Sequence, residues 1–300
     1  MLKVAWAPIY HHPLSENHRF PMAKYSLLPE QLIYEGTLET DNFFAPGLLS
    51  TERVLRSHEQ SYWDKLDQLT LDPKAQRKIG FPLSQELVNR ERTICQGTVD
   101  SVKFALQNGC SLNIAGGTHH AFSDRGEGFC LLNDIIIGAH ELIDHHDITK
   151  ILVIDLDVHQ GNGTASMARE DSRIFTFSMH GEKNYPYHKE QSDLDVPLPD
   201  YIGDTDYLRI LDHHLAKLFE KVEPEFVFYQ SGVDILRGDK LGRMDISLAG
   251  CKQRDKLVLE RCFINQVPIA INMGGGYSPE IKDIIEAHAN TFRVAAFLHM

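Results

Sequence analysis

The chain has 300 residues, of which 42% are hydrophobic and 24% are charged, and its formal net charge is −12. The acidic balance argues against a nucleic-acid surface, and no apolar run approaches the roughly 20 residues that cross a bilayer, so we expect neither nucleic acid nor membrane as a partner. Five cysteines without a CxxC pair, and a start without a secretory signal sequence, predict reduced thiols and a cytoplasmic location.

Helical and strand patterns alternate along the sequence. An amphipathic helix is predicted over Glu86–Asn108, because its apolar residues share one face and Gly109 stands where a C-terminal stop is expected. Apolar runs rich in β-branched residues predict buried strands. In chain order, the later elements are strands over Leu112–Ala115, Ile151–Ile154 and Ile174–Phe177, a helix between Thr205 and Pro224, strands over Phe226–Tyr229 and Val267–Ile271, and a helix that begins at Ser278-Pro279-Glu280.

This alternation predicts an α/β fold with three layers, in which helices cover both faces of a mostly parallel central sheet. No internal repeat and no Pro/Gly/Ser-rich linker divides the sequence, so we expect residues 1–300 to form a single domain. In sheets of this kind, the active site lies beyond the carboxyl ends of the strands.

Glycine-rich turns that carry polar or titratable side chains follow four of the predicted strands. They are Gly116-Gly117-Thr118-His119-His120, Asp155–Gly163, Ser231-Gly232-Val233-Asp234 and Gly274-Gly275-Gly276-Tyr277. Because the carboxyl ends of parallel strands meet at one edge of a sheet, we expect these turns to lie close together. Their side chains supply carboxylates and an imidazole suited to zinc, a histidine pair and a tyrosine.

A zinc site is predicted from Asp157 and His159, two residues apart after one strand, and from Asp234 after another. A catalytic zinc takes three protein ligands and keeps one position open, and a ligand set rich in oxygen suits the polarisation of an amide carbonyl. Asp155 is better placed to orient a histidine. An isolated Asp-x-His sequence can also cap a loop, but the matching context of Asp234 favours the metal.

His119 and His120 are the predicted proton-transfer pair, one accepting a proton from the attacking water and the other donating to the leaving amine. Three other histidine pairs occur, at His11-His12, His145-His146 and His213-His214. Only His119-His120 follows a strand and a Gly-Gly turn, which favours a functional role for this pair. Tyr277 is predicted to stabilise an oxyanion, although a glycine-rich turn can also end in an ordinary half-buried tyrosine.

This series of motifs resembles the histone deacetylase family, within the arginase/deacetylase fold, over nearly the whole chain. In the family's order, the motifs are Gly117-Thr118-His119-His120-Ala121, Gly128-Phe129-Cys130-Leu131-Leu132-Asn133-Asp134, Asp155–Gly163, Gly232-Val233-Asp234 with Gly238-Asp239-Lys240-Leu241-Gly242, and Gly274–Tyr277. The Arg19–Met22 segment and Asp234-Ile235-Leu236 resemble the class IV branch and its bacterial relatives.

The resemblance implies a role for each candidate residue. These roles are zinc binding by Asp157, His159 and Asp234, general base and acid catalysis by His119 and His120, carbonyl polarisation by Tyr277, and support of His119 by Asp155. Asn162 stands where class I members have an aspartate that supports the second histidine. An amide stabilises an imidazolium less well than a carboxylate does, so the pKa of His120 should be lower here.

The resemblance also implies a substrate tunnel and a second cation. The tunnel residues would be Gly128, Phe129, Tyr185 and Leu241, with Arg19 near the exit for acetate. The family binds a structural potassium, which the resemblance places near Asp155, Asp157, His159 and Ser178.

The expected activity is zinc-dependent removal of an acyl group from lysine in a protein or peptide. Deacetylation of acetylpolyamines or another small acylated amine is an alternative, because no aspartate between Ile79 and Arg92 matches the one that clamps substrate backbone in class I. A binuclear manganese ureohydrolase would need further ligands where this chain has Gln160 and Asn162. A non-catalytic acyl-lysine binding module would not need an acid–base pair.

Overall fold

A parallel eight-stranded sheet runs through the centre of the protein. The computed structural model describes residues 1–300, and its strands are β1 (Lys3–Ala5), β2 (Phe43–Phe44), β3 (Cys110–Asn113), β4 (Ile151–Asp155), β5 (Ile174–Gly181), β6 (Leu194–Leu198), β7 (Phe226–Gln230) and β8 (Ile269–Asn272). Their order across the sheet is β2-β1-β3-β8-β7-β4-β5-β6, and all neighbouring strands are parallel. The predicted α/β class is confirmed.

Ten α-helices connect and flank the strands. They are α1 (Lys24–Tyr34), α2 (Thr51–Leu55), α3 (Gln60–Asp67), α4 (Pro73–Ile79), α5 (Gln85–Asn108), α6 (Asp134–His145), α7 (Asn162–Ala168), α8 (Asp204–Val222), α9 (Leu248–Ile264) and α10 (Ile281–His299). None of them combines the length and the apolar composition that a membrane span requires.

The central strand β4 shows why both faces of the sheet are covered. Its side chains alternate between two hydrophobic clusters, with Leu152 and Ile154 in the larger one and Ile151 and Val153 in the smaller one. Because successive side chains of a strand point to opposite faces, helices pack on both sides and form the predicted three layers. This is the reason that the strand consists of a continuous apolar run.

Helix α5 begins and ends within one residue of its prediction, whereas α10 begins later than predicted, after Glu280. Helix α5 starts at Gln85, where the Ser84 hydroxyl accepts a hydrogen bond from the backbone N–H of Leu87 (3.1 Å). It ends at Gly109, whose φ of 83° lies in the left-handed region that favours glycine. The last helix, α10, begins at Ile281, three residues after the predicted Ser278.

The strand predictions differ from the structure in the bounds of interior strands and in three strands that were not predicted. The strand predicted over Leu112–Ala115 lies two residues earlier, because Cys110–Asn113 pairs with Ile269–Asn272 of β8. The two edge strands, β2 and β6, and the short strand β1 beside β2 have no apolar β-branched run. Strand β6 even contains Pro197, which an edge strand tolerates because proline lacks only the N–H donor.

All five cysteines are buried and free, as the spacing predicted. Burial raises the pKa of Cys251 to about 12, and the pKa of Cys95 and Cys130 also rises on burial. Buried thiols in this state are poor nucleophiles, since the thiolate is the reactive form.

The sheet order brings the four glycine-rich turns together. Strands β3, β8, β7 and β4 are consecutive neighbours, so the loops that follow them leave one edge of the sheet side by side. Each of these loops carries candidate site residues, and the next section builds the site from them.

Candidate active site

The three predicted metal ligands converge on one point. His159 Nδ1 lies 3.0 Å from Asp157 Oδ1 and 3.1 Å from Asp234 Oδ2, and the three ligand atoms all lie within 4.8 Å of one another. All three side chains are buried. A single cation can therefore contact one nitrogen and two carboxylate oxygens, which is a ligand set that zinc accepts.

Backbone groups hold the two carboxylates in place. The N–H of Gly275 donates to Asp157 Oδ2 and the N–H of Val158 donates to Asp234 Oδ1, each over 2.9 Å. A Cβ atom at Gly275 would collide with Asp234, and one at Gly232 would collide with Asp157. Glycine is thus required here because the loops after β7 and β8 approach the carboxylates so closely.

The three ligand side chains shift one another's pKa values. Burial raises the pKa of Asp234 to about 7, and the neighbouring Asp157 adds to this effect. Burial alone would lower the pKa of His159, but its bonds to Asp157 and Asp234 outweigh burial and raise it to about 10. Two buried carboxylates therefore hold a proton on the imidazole between them. A divalent cation would replace that proton and satisfy both carboxylates, so the donor set fits a metal.

The histidine pair lies beside this cluster. His119 Nδ1 bonds to Asp155 Oδ2 (2.7 Å), and His120 Nδ1 bonds to Asn162 Oδ1 (2.6 Å). Carboxylate and amide oxygens only accept, so both rings donate through Nδ1 and leave Nε2 available. The two ring centroids are 4.1 Å apart. Asp155 and Asn162 thus contact the histidines that the sequence assigned to them.

The pKa values of the two histidines move in opposite directions. Burial would lower the pKa of His119, but Asp155 and Asp157 outweigh burial and raise it to about 9. Burial lowers the pKa of His120 well below its ordinary value, and the nearby His119 and His159 lower it further. The main cause is burial, and the hydrogen bond to Asn162 acts in the opposite sense; that the pKa is lower than it would be with an aspartate at this position stays a prediction.

Tyr277 reaches the site from the loop after β8. Its backbone N–H donates to Asp239 Oδ2 over 2.6 Å, and its ring lies 6.0 Å from that of Phe129. Burial raises the pKa of the phenol well above its ordinary value, so the hydroxyl keeps its proton and can donate a hydrogen bond. Asp239 also accepts from the N–H groups of Leu241 and Gly242, and so ties the loops after β7 and β8 together.

Several supporting residues were not predicted from the sequence. Lys24 is fully buried and donates from Nζ to the carbonyl oxygen of Gly274. Arg254, also fully buried, donates to the carbonyl oxygens of Leu156, Ser231 and Gly232, and pairs with Asp255. Gln230 donates to the carbonyl of Gly117. A charged residue on the buried face of a helix was the only local signal for Arg254, and the partners of all three are distant in sequence.

An outer cavity of about 350 Å³ leads from the surface to the cluster. Its walls include Gly128, Phe129, Tyr185 and Leu241, the residues predicted for the tunnel, and its inner end includes His120, His159 and Tyr277. Tyr185 donates its hydroxyl hydrogen to Glu127 (2.7 Å) and sets its ring edge-on to His120. The backbone of Phe129 is in the left-handed region, with φ of 68°, and its ring lines the cavity next to Gly128.

The structure differs from the prediction for Arg19. This side chain is exposed at the outer cavity, where its guanidinium lies 4.9 Å from the centroid of the Phe129 ring. The arginine on the inner side is Arg90 of α5, which lines a second, inner cavity of about 50 Å³. Stacking on Phe129, which is distant in sequence, keeps Arg19 at the outer cavity.

The last predicted residue, Ser178, was expected to lie near a structural potassium ion. Ser178 of β5 pairs in register with Asp155 of β4, and its hydroxyl bonds to His180 Nδ1 over 3.0 Å. Ser178 is therefore close to the expected position, and the potassium itself stays a prediction.

Comparison with known proteins identifies relatives along the whole chain. The sequence model of the family described as Histone deacetylase domain matches residues 18–292. An uncharacterized protein of Picosynechococcus sp. is 42% identical over 292 residues, 97% of each sequence. Histone deacetylase 2 of Arabidopsis thaliana is 30% identical over 89% of this chain and 72% of that protein. The crystal structure of an HDAC homolog from Aquifex aeolicus has a TM-score of 0.81 at 24% identity, covering 97% of this chain and 82% of that one.

Proposed function

Because this chain belongs to the histone deacetylase family, which consists of hydrolases of linear amides, we propose that it removes acyl groups from N-acyl-lysine with zinc bound by Asp157, His159 and Asp234. The observation that carries the proposal is that these three ligands, His120 and Tyr277 meet at the inner end of one cavity. A zinc ion bound there would supply Lewis acidity for hydrolysis of the amide.

Both proton transfers are assigned to His120, in place of the division between His119 and His120 that was expected from the sequence. It lines both the outer and the inner cavity, whereas His119 lines only the inner one. With Nδ1 committed to Asn162, Nε2 of His120 accepts a proton from the attacking water and then passes it to the nitrogen of the departing lysine. His119 is held by Asp155, and a positive charge on its ring would stabilise negative charge on the carbonyl that is attacked.

Tyr277 stabilises the oxygen of the attacked carbonyl. It lines both cavities, its phenol remains protonated, and its backbone is fixed by the bond to Asp239. A donor held in this way costs no reorganisation when negative charge develops on the substrate oxygen.

Acyl-lysine is favoured over an acetylpolyamine by Leu241. This residue lines the outer cavity with Phe129 and Tyr185, so the methylenes of lysine meet apolar and aromatic walls. Each buried methylene is worth about 0.8 kcal/mol. Polyamine-specific relatives carry an acidic residue at the matching position, whereas leucine offers a distal ammonium no partner.

Two other functions are less well supported by the contacts of the site. A binuclear manganese centre would need ligands from Gln160 and Asn162, but the Gln160 amide bonds to Asp195 and the carbonyl of Glu190, and Asn162 bonds to His120. A binding module without catalysis would have no use for a histidine pair with both Nδ1 atoms anchored.

The test compares kcat/KM of the zinc-loaded protein on an acetyl-lysine peptide and on an N-acetylated polyamine. The wild type should prefer the peptide, and Leu241→Glu should shift the ratio towards the polyamine by about tenfold, with Leu241→Gln as the uncharged control. A wild type that already prefers the polyamine would show that the substrate assignment is wrong. A zinc-loaded protein that hydrolyses neither amide would overturn the proposed function itself.

A structural potassium near Asp155 and Ser178, and a cytoplasmic location, are part of the same proposal. The pairing of Ser178 in register with Asp155 is the observation in favour of the cation, and the free, buried cysteines support a reducing compartment. Activity measured with potassium replaced by sodium would test the first point, and cell fractionation would test the second.

A further inference from the structure

The outer cavity has a charge opposite to that of the protein. The chain contains 42 Asp and Glu against 30 Lys and Arg, so acidic residues should predominate on an average patch. The 15 residues that line the outer cavity include no Asp or Glu, yet they include Arg19, Lys78, Lys183, Lys240 and Arg243. This group of five cations is called the basic rim below.

The basic rim is assembled from four separate segments. Arg19 precedes α1, Lys78 lies in α4, Lys183 follows β5, and Lys240 and Arg243 follow β7. Cations that come from separate segments surround the opening of the cavity, so a substrate meets them from several directions. The charges are therefore a property of the opening and not of one basic sequence run.

Nearby carboxylates neutralise the basic rim only in part. Asp200 forms ion pairs with two of the five cations, at 3.7 Å from Lys183 and 3.5 Å from Arg243. Glu127 lies 3.5 Å from Lys78, but it also pairs with Arg125 and accepts the hydroxyl of Tyr185.

Arg19 and Lys240 belong to no ion pair. Arg19 contacts the Phe129 ring through its guanidinium, and Lys240 is exposed beside Leu241. Because two carboxylates face five cations, the opening retains a positive potential. Potentials of this kind raise the association rate of oppositely charged ligands and exclude ligands of like charge.

We propose that the basic rim selects acyl-lysine flanked by acidic residues, and disfavours polyamines and Lys/Arg-rich peptides. The inference rests on the proposed deacylase function, because it concerns the substrate segment that remains outside the cavity while the acyl-lysine enters. Aspartate or glutamate next to the acyl-lysine pairs with Arg19 and Lys240. A lysine or arginine at the same position is repelled by Arg19 and Lys240, because neither of them is neutralised by a carboxylate.

The experiment uses the full-length zinc-loaded protein and peptides of equal length. Each peptide has one acetyl-lysine, flanked on both sides by aspartate, by glutamine or by lysine. The aspartate peptide should have a kcat/KM about tenfold above that of the lysine peptide at low ionic strength, with glutamine between them. The difference should shrink at about 0.5 M salt, where charges are screened within a few Å.

Two variants test the origin of the preference. The double variant with Arg19→Gln and Lys240→Gln should lose most of the ratio between the aspartate and lysine peptides. The matched control is Lys252→Gln with Lys256→Gln in α9, which removes the same charge away from the opening and should keep the ratio.

The outcomes separate this inference from the proposed function. Equal turnover of the three peptides, or preference for the lysine peptide, would overturn the role of the basic rim and leave the deacylase assignment standing. A ratio that persists in the double variant would also overturn it. Absence of turnover on every peptide would instead remove the function on which the inference rests.

Discussion

Lys24 Nζ donates to the carbonyl oxygen of Gly274 over 2.9 Å, although the two residues lie 250 positions apart in the chain. The same ammonium lies 5.9 Å from the centroid of the Tyr277 ring. Burial lowers the pKa of Lys24 to about 8, and the nearby Asp234 and Asp157 oppose that effect. The first helix therefore holds the loop that positions Tyr277.

Lys24→Met should lower kcat by about 10², because loss of the donor releases the loop of Gly274 and a displacement of about 1 Å can cost that much. The free energy of unfolding should change less, since the variant loses a hydrogen bond but also removes a buried charge. Steady-state kinetics and urea unfolding measure the two effects. Lys24→Arg keeps a donor and should recover part of kcat, and equal activity of both variants with wild type would contradict this role.

Removal of the metal should abolish activity and reduce stability. Bound zinc at a free concentration of 1,000 Kd would add about 4 kcal/mol to the free energy of unfolding, so a chelator should lower Tm. Asp157→Ala and Asp234→Ala should lose zinc in elemental analysis. Asp155→Asn is the matched control, because Asp155 contacts His119 and should be dispensable for metal content. Zinc retained in either alanine variant would contradict the ligand assignment.

Tyr277→Phe should lower kcat by about 10²–10³ with little change in substrate affinity, which is the range for loss of one oxyanion donor. The ring should stay in place because the backbone bond to Asp239 does not involve the hydroxyl. Steady-state kinetics separate kcat from KM. A variant in which only KM rises would show that the phenol acts in binding and not in the transition state.

Asn162→Asp should raise the pKa of His120, because a carboxylate at 2.6 Å from Nδ1 stabilises the imidazolium. His120 must be neutral to accept a proton, so the acidic limb of the kcat/KM profile should move to higher pH by about one pH unit or more. The substitution is nearly isosteric, and unfolding curves provide the control. An unchanged pH profile would show that His120 is not the base.

The stability of the fold should fall in mild acid because of His58. Its Nε2 accepts the backbone N–H of Asn133 and its Nδ1 donates to the carbonyl of Phe122, so the buried ring is neutral. Burial lowers its pKa from 6.5 to about 4, despite opposing backbone hydrogen bonds. Between these values the unfolded chain binds more protons than the folded one, and stability is lost as pH falls, by about 3 kcal/mol at most.

Urea unfolding between pH 4 and pH 7 would measure this slope. His58→Gln removes the titrating group and should make the slope shallower, although His140 and His180, whose pKa values are also lowered to about 4 by burial, should keep part of it. A slope that is identical in the variant would show that His58 does not contribute.

The sequence was most informative where one pattern served both fold and function. Ile151–Ile154 predicted a buried strand, and the polar residues immediately after it predicted the ligands, because parallel strands direct their carboxyl ends to a common edge. Strands β1, β2 and β6 were missed because they are very short or are interrupted by polar residues and proline, and so contain no continuous apolar run.

Supporting contacts between distant segments could not be predicted. Lys24 and Arg254 donate hydrogen bonds to backbone carbonyls. Every residue type has such a carbonyl, so the sequence does not show which residue is the partner. Arg19 was misplaced for a related reason. Its position depends on stacking against Phe129, which is a contact between segments about a hundred residues apart in a folded chain.

The position of β8 in the sheet has a consequence for synthesis of the protein. Strand β3 pairs only with β1 and β8, and β7 pairs only with β4 and β8, so β8 is the link between two halves of the sheet. A nascent chain that has not yet released residues 269–272 from the ribosome has the strands of both halves but no strand pairing that joins them. Asp157, His159 and Asp234 therefore leave the ribosome before the glycine loop that carries Tyr277, and the catalytic pocket is completed only after residues 269–277 have emerged.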